Sequence, residues 1–181
     1  MVSRHFASLL SLALSGCANP DLTQFEKTLA ANDSATLALE HWCDARALAD
    51  PAKITAIPVV GERHAIPKDV RSALKVGPAE AIGYRHVLLT CGDTTMSDAR
   101  NWYVPARLTP AMNRTLGTTR QPFGKVVAPL EFTRERLESV RGRAPGCPQG
   151  TVLSHRALLK TPDGSPISFV LECYTRANIR R

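Results

Sequence analysis

The sequence predicts a single domain of the α+β class, in which helices pack on one side of an antiparallel β-sheet. The chain has 181 residues, of which 44% are hydrophobic and 22% charged, and this is sufficient for one globular domain with its own core. Helical patterns come early in the chain, and consecutive strands separated by short turns follow them. This order favours an antiparallel sheet over a doubly wound parallel one, whose strands would alternate with helices.

Capping residues mark the starts of several predicted helices. Asp33 and Ser34 can cap a helix because their side chains accept hydrogen bonds from its first N–H groups. Pro110 fits a first helical turn, and Thr133 is a candidate cap for a later helix. We predict helices over residues 22–31, 33–48, 66–74, from 109 onward and over 132–140.

Runs of aliphatic, aromatic and β-branched residues bounded by turn residues predict the strands. The clearest run is Ile82–Cys91, which ends at a Gly92-Asp93 turn, and Gln121–Gly124 is a further predicted turn. Pro162-Asp163-Gly164 between the last two runs predicts a closing hairpin. The predicted strands cover residues 54–60, 82–91, 99–104, 152–159 and 167–175.

The N-terminus has the pattern of an export signal. The apolar run Phe6–Leu14 is too short to span a bilayer but has the length of a signal-peptide core. It ends in Leu14-Ser15-Gly16-Cys17, which resembles the lipobox of bacterial lipoproteins. This resemblance implies that Cys17 becomes the lipidated first residue, and Ala18 beside it favours the outer membrane. We therefore expect a lipid-anchored periplasmic protein. The alternative is a soluble protein with a chance apolar start.

An oxidising periplasm affects what the charge and the cysteines of the chain imply. Lys and Arg exceed Asp and Glu by 23 to 16, a formal charge of +7, which favours an anionic ligand. A periplasmic protein meets little nucleic acid, so we expect no nucleic-acid partner. The sequence identifies no protein partner. Four cysteines remain after Cys17, and they allow up to two disulfides in three pairings: Cys43, Cys91, Cys147 and Cys173.

Two charged residues interrupt apolar strand patterns and are the first candidates for a site. Arg85 shares its predicted strand face with Val87 and Leu89, while Glu172 lies within the apolar run of the last strand. A buried charge requires a partner or a ligand. The pattern fits a structural ion pair, for which Arg85 is the obvious partner of Glu172. The alternative is one cavity that offers a guanidinium to an anion and a carboxyl group for proton transfer.

Several short motifs occur in a characteristic order along residues 33–175. They are Asp33–Thr36, Tyr84-Arg85 with Cys91, Tyr103–Pro105, Gln121–Lys125, Phe132–Arg134 and Leu171-Glu172. With these motifs the chain resembles chorismate pyruvate-lyase. It is also similar to the wider lyase-like and UTRA-like superfamily, which includes small-molecule sensor domains of transcription regulators. The resemblance implies helical flaps over an internal ligand pocket.

The resemblance also implies roles for individual residues. Arg85 matches the lyase arginine that holds a substrate carboxylate, and Glu172 matches the active-site glutamate, the expected acid–base group. Phe123 lies where the family has a turn whose backbone contacts the ligand, so the resemblance implies that it is a second substrate-binding residue. The resemblance implies neither a metal nor an organic cofactor. Asn101 stands near the second arginine of true lyases, and Arg100 is predicted to point to the other face of the sheet.

The implied domain order is a signal peptide (1–16), a lipidated N-terminus with a leading helix (17–32), a chorismate lyase-like domain (33–176) and a basic tail (177–181). The leading functional hypothesis is an enzyme that eliminates pyruvate from chorismate to give 4-hydroxybenzoate or a related aromatic acid. The second is a membrane-anchored periplasmic protein that binds an aromatic acid, a dicarboxylate or another small carboxylate without turnover. The third is a structural lipoprotein that has lost the pocket. Motifs of hydrolases and phosphate-binding loops do not occur in the sequence.

Overall fold

The computed structural model describes residues 19–61 and 66–180. The predicted signal peptide and Cys17 lie outside the described residues. No helix within the described ranges is long and apolar enough to cross a membrane.

A six-stranded antiparallel sheet forms the centre of the fold and confirms the predicted α+β class. The strand order is β1-β2-β3-β6-β5-β4, so the C-terminal hairpin inserts β6 next to β3, and β4 ends as an edge strand. The strands are β1 (Ile54–Pro58), β2 (Gly83–Cys91), β3 (Thr94–Tyr103), β4 (Thr133–Arg141), β5 (Leu153–Lys160) and β6 (Pro166–Tyr174).

Within the described ranges five α-helices cover this sheet, and two of them begin at side-chain caps, of which Ser34 is predicted from the sequence. The Ser34 hydroxyl accepts a hydrogen bond from the Leu37 N–H, and the Thr109 hydroxyl accepts one from the Met112 N–H. The helices are α1 (Pro20–Ala30), α2 (Ala35–Ala45), α3 (Lys68–Ala73), α4 (Pro110–Thr118) and α5 (Phe123–Val127).

The predicted helix over residues 132–140 is wrong, because this segment is the edge strand β4. Its Arg, Glu and Leu residues favour a helix intrinsically, but pairing along the whole of β5 overrides that preference. Most of its side chains are exposed, which explains why the segment lacks a recognisable apolar alternation. Charged side chains are typical of an edge strand, where they oppose pairing with another chain.

Two other predicted boundaries also differ from the structure. β3 begins at Thr94 rather than at residue 99, because the polar residues after the Gly92-Asp93 turn pair with the end of β2. The predicted turn at 121–124 is instead the start of the short helix α5, which Pro122 precedes. Both segments are polar or rich in turn residues, so local preference alone predicts them as loops.

Apolar clusters cover both faces of the sheet. One face carries the cluster of α1 and α2, which includes Phe25, Leu39 and Leu89, and further along it the cluster of α4 and α5, which includes Phe123. The opposite face carries the cluster of α3 and the 142–150 loop, which contains Trp102. The cavity described below lies between the two clusters of the first face.

The structure selects one of the three cysteine pairings. Cys43 of α2 is joined to Cys91 at the end of β2, and Cys147 of the 142–150 loop is joined to Cys173 of β6. The bonds therefore attach one covering element on each face to the sheet. By the loop-entropy estimate, closing loops of 48 and 26 residues stabilises the fold by roughly 3 to 4 kcal/mol each.

We expect non-reducing peptide mapping of the purified protein to recover both of these linked peptides. Replacing Cys147 and Cys173 together by Ala should lower the free energy of unfolding, measured with urea, by roughly 3 kcal/mol, because the unfolded chain regains its freedom. The single variant Cys147→Ala with the same mapping is the control for mispairing of Cys173. Recovery of a Cys43–Cys147 or Cys43–Cys173 peptide from the wild type would contradict the pairing.

Candidate functional site

The candidate site is a cavity on the face of the sheet that α2 and α5 cover. Its floor consists of apolar side chains from β2, β3 and β6, including Val87, Ala99 and Val170. Its sides are the first turn of α2, the start of α5 and the ring of Phe132. The volume open to the centres of water molecules is about 50 Å³, which is room for roughly four waters.

Arg85 lies at one end of this cavity, on the face of β2 that period-two alternation predicts. One guanidinium nitrogen donates a hydrogen bond to the Gln121 carbonyl oxygen at 3.2 Å. Burial lowers the pKa of Arg85 from its usual value, but an arginine remains charged. No carboxylate of the described residues forms an ion pair with it. Arg85 is therefore a half-buried cation with unused donors facing an apolar cavity.

Glu172 lines the same cavity, but its partner is not the one that the sequence suggests. The carboxylate forms a two-pronged ion pair with Arg134 of β4, and it does not pair with Arg85. Tyr174 adds a third donor, from its hydroxyl to Glu172 Oε2 at 2.7 Å. Both charged side chains are more than 90% buried. The expectation of an Arg85–Glu172 ion pair is thus wrong, whereas the alternative that both residues face one cavity agrees with the structure.

Electrostatics couple the members of this buried group. Burial by itself would lower the pKa of Arg134, but the adjacent Glu172 carboxylate more than compensates and raises it. Burial raises the pKa of Tyr174 well above its usual value, and the same carboxylate acts in the same direction. The Tyr174 phenol therefore stays protonated as a donor, and Arg134 stays charged.

Phe123 is the first residue of α5, and its largely buried ring lines the cavity. The ring packs against Tyr103 with 5.5 Å between ring centroids. Tyr103 can reach this position because the facing residue is Gly83, where a Cβ would lie 2.4 Å from the tyrosine ring. The side chain of Phe123 thus helps to form the wall of the cavity.

Gly124 brings α5 close to the start of α2. A Cβ at this position would lie 2.8 Å from the Ser34 hydroxyl oxygen and 3.3 Å from that of Thr36. A larger residue at this position would have to displace these two hydroxyl groups. Lys125 and Glu40 join the same two helices by an ion pair of 2.5 Å. The wall between α2 and α5 is therefore closely fitted.

Asn101 is the polar neighbour of Arg85 in the sheet. The two residues are directly opposite each other in the β2–β3 register and share the cavity face. Arg100 next to it donates to Asp98 at 3.0 Å and to the Gly146 carbonyl at 2.7 Å, as expected for the opposite face. Within the ranges 19–61 and 66–180, no group of three or more metal-ligating side chains could hold a metal ion.

Sequence reasoning missed Arg134 and Asp33 as parts of the site. The Asp33 carboxylate accepts a hydrogen bond from the Arg134 backbone N–H at 3.2 Å, which connects the start of α2 to the start of β4. Both residues occur in the motifs quoted above. A buried Glu172 requires a cationic partner, and this requirement could have pointed to Arg134. The wrong helix prediction for residues 132–140 placed Arg134 away from the sheet and so concealed this pairing.

Comparison with known structures identifies the class of fold. The effector domain of PhnF from Mycobacterium smegmatis superposes with a TM-score of 0.56 at 13% identity, covering 79% of this chain and 88% of that domain. PhnF from the same organism in a longer form gives a TM-score of 0.57 at 12% identity and covers 81% of this chain. This chain spans 65% of that longer protein. The chain therefore has the same fold as the PhnF effector domain, which is the UTRA and chorismate lyase-like fold.

The particular family follows from sequence. The chain is 43% identical to the uncharacterized protein y4mC of Sinorhizobium fredii (strain NBRC 101917 / NGR234) over 173 aligned residues. The alignment covers 85% of this chain and 73% of the relative, so the chain belongs to the y4mC family. No protein-family model matches the sequence.

His155 of β5 adds a buried titratable group next to this site. It is 1% exposed, and neither ring nitrogen has a hydrogen-bond partner among the described residues. Burial lowers its pKa to about 4, with Arg134 and Arg136 acting in the same direction and Glu172 and Glu26 opposing them. The folded protein therefore holds His155 neutral at a pH where the unfolded chain would bind a proton.

Protonation of the unfolded chain should make the fold less stable in acid. As pH falls from about 6.5 towards 4, the unfolded state gains a proton at His155 that the folded state does not, so the free energy of unfolding decreases by up to roughly 3 kcal/mol. Urea unfolding at several pH values measures this slope. The variant His155→Leu should lose this part of the slope, and a wild-type slope in His155→Leu would contradict the assignment.

Proposed function

We propose that this protein binds a small aromatic carboxylate in the cavity between α2 and α5, and that it holds the ligand without turning it over. The observation that carries the proposal is Arg85, a half-buried cation that has no ion-pair partner among the described residues and faces an apolar cavity. Taking a charge partly out of water costs free energy that a bound anion would return. A guanidinium also matches a carboxylate with two parallel hydrogen bonds.

The remaining lining supports an aromatic ligand. Val87, Leu89, Val170 and the ring of Phe132 give the cavity apolar walls, and its volume is small. A few polar groups in an otherwise apolar concave site are typical of small-molecule pockets. The first turn of α2 lines the cavity as well, and the positive end of the helix dipole favours a negative charge in addition to Arg85. The fold of ligand-binding effector domains agrees with such a role.

The contacts of Glu172 favour binding over catalysis. Its two oxygens already accept hydrogen bonds from both nitrogens of Arg134 and from the Tyr174 hydroxyl. A carboxylate has about four acceptor sites, so little capacity remains for exchanging a proton with a ligand. A group that is fixed in this way suits a structural and electrostatic role better than the acid–base role that the resemblance implies.

A chorismate lyase activity is the second candidate, and one observation favours it. Arg85 and Glu172 line the same cavity, which is the arrangement that elimination of pyruvate from chorismate would use. Arg85 would bind a substrate carboxylate, and Glu172 would exchange the proton once a ligand displaced one of its present donors. The product would be 4-hydroxybenzoate or a related aromatic acid.

Calorimetric titration of the purified full-length protein with 4-hydroxybenzoate tests the binding proposal. We expect saturable binding, and the variant Arg85→Ala should weaken it by roughly 10- to 100-fold, because it removes a charge-assisted two-pronged contact. The control is Arg114→Ala, which removes the same charge from an exposed position of α4 and should bind like the wild type.

Incubation of the same samples with chorismate separates the two candidates. Binding of 4-hydroxybenzoate without its formation from chorismate supports the binding protein. Turnover that Glu172→Gln abolishes would establish the lyase and overturn our proposal. Failure of the wild type to bind 4-hydroxybenzoate, or equal binding by Arg85→Ala, would also overturn it.

We further propose that the protein is a lipoprotein of the bacterial periplasm, attached to the outer membrane through Cys17. The lipobox-like sequence before Cys17 supports this, and two disulfides agree with an oxidising compartment. In membrane fractionation of the bacterial host, Cys17→Ala should move the protein from the membrane to the soluble fraction. Ser15→Ala, which keeps a small residue before the cysteine, is the control. A membrane-bound Cys17→Ala protein would contradict the anchor.

A further inference from the structure

We propose that the cavity selects singly charged carboxylates over dicarboxylates and that Asn101 is the residue that determines this selectivity. The inference rests on the proposed binding function and makes it more specific. It depends on the charges that line the cavity and on the fixed orientation of one amide.

The cationic side chains around the cavity are largely committed to protein partners. Arg134 is paired with Glu172, and the Arg100 guanidinium donates to Asp98 and to the Gly146 carbonyl on the opposite face of the sheet. Among the described residues that line the cavity, Arg85 is the cation without an acidic partner. The acidic side chains of Glu172 and Asp33 also border the space. The cavity thus offers compensation for one negative charge.

Asn101 places a neutral side chain beside Arg85 on the cavity face. It is directly opposite Arg85 in the sheet and is 6% exposed. The Ser168 hydroxyl donates a hydrogen bond to Asn101 Oδ1 at 2.5 Å, which orients the amide. No described residue accepts a hydrogen bond from its Nδ2 group. This NH₂ group is therefore an available neutral donor adjacent to the Arg85 guanidinium.

The two donors together suit one carboxylate with a neutral remainder. Arg85 supplies the charge and Asn101 supplies an additional hydrogen bond without further charge. A second carboxylate on the ligand would lose its water and meet only apolar walls and the acidic groups. An unpaired buried charge is costly, and like charges add repulsion. A dianion should therefore bind more weakly than a monoanion of the same size.

Competing calorimetric titrations of the full-length protein with 4-hydroxybenzoate and terephthalate test this inference. The two acids share a ring and one carboxylate, and differ in a neutral hydroxyl against a second carboxylate. We expect 4-hydroxybenzoate to bind at least about tenfold more tightly to the wild type. The variant Asn101→Arg, which supplies the second cation, should reduce this ratio at least about tenfold. Thr118→Arg adds the same charge to an exposed position of α4 and should leave the ratio unchanged.

A second variant keeps the test independent of whether Asn101→Arg folds. In Ser168→Ala the amide of Asn101 loses the donor that orients it, so the preference for the monoanion should decrease several-fold while circular dichroism stays unchanged. This change in ratio separates a positioning role of Ser168 from a purely structural one, which would weaken both acids equally.

The outcomes distinguish this inference from the proposed function. If neither acid binds, the proposed function fails and the inference fails with it. If both bind, both are weakened by Arg85→Ala, and the wild-type ratio is smaller than about tenfold, the proposed function stands and the selectivity is overturned. An unchanged ratio in a folded Asn101→Arg protein would overturn the role of Asn101.

Discussion

The buried ion pair between Arg134 and Glu172 determines the charge of the whole cavity. It connects the edge strand β4 to the central strand β6 across β5, and it neutralises the acidic group that would otherwise attract Arg85. Because Glu172 is already satisfied, Arg85 keeps its charge for a ligand. A buried pair of this kind contributes less to stability than its geometry suggests, since both charges lose their water. Its main consequence is therefore that Arg85 is left as the cation of the cavity without an acidic partner among the described residues.

The topology explains why these groups meet in this place. The C-terminal hairpin inserts β6 beside β3, so that Ala99, Glu172 and His155 become neighbours along one line across the sheet. Helices α2 and α5 cover this face at two different positions, and the space between their apolar clusters is not filled by a large side chain. Gly124 keeps the two helices in contact at one end of this space. The cavity is thus a product of how the covering helices are spaced.

The sequence predicts the fold class and half of the site, for identifiable physical reasons. The alternation of β2 places Arg85 on the cavity face correctly, and the long apolar run of β6 indicates that Glu172 is buried. The partner of Glu172 could not be predicted, because β4 has helix-forming residues and becomes a strand only through its pairing with β5. The free amide of Asn101 depends on Ser168, a contact between residues 67 positions apart. A contact between residues so far apart in sequence produces no local sequence pattern from which it could be predicted.

The charged side chains that line the cavity also favour a binding protein over an enzyme. Chorismate carries two carboxylates, and a lyase must hold both while one proton moves. This cavity presents one uncommitted guanidinium among its described residues, with a neutral amide beside it and a carboxylate that already accepts three hydrogen bonds. Catalysis requires groups whose interactions strengthen as the reaction proceeds. Groups that are already paired with one another instead provide a fixed surface, and a fixed surface with one charge is suited to retaining a small monoanion.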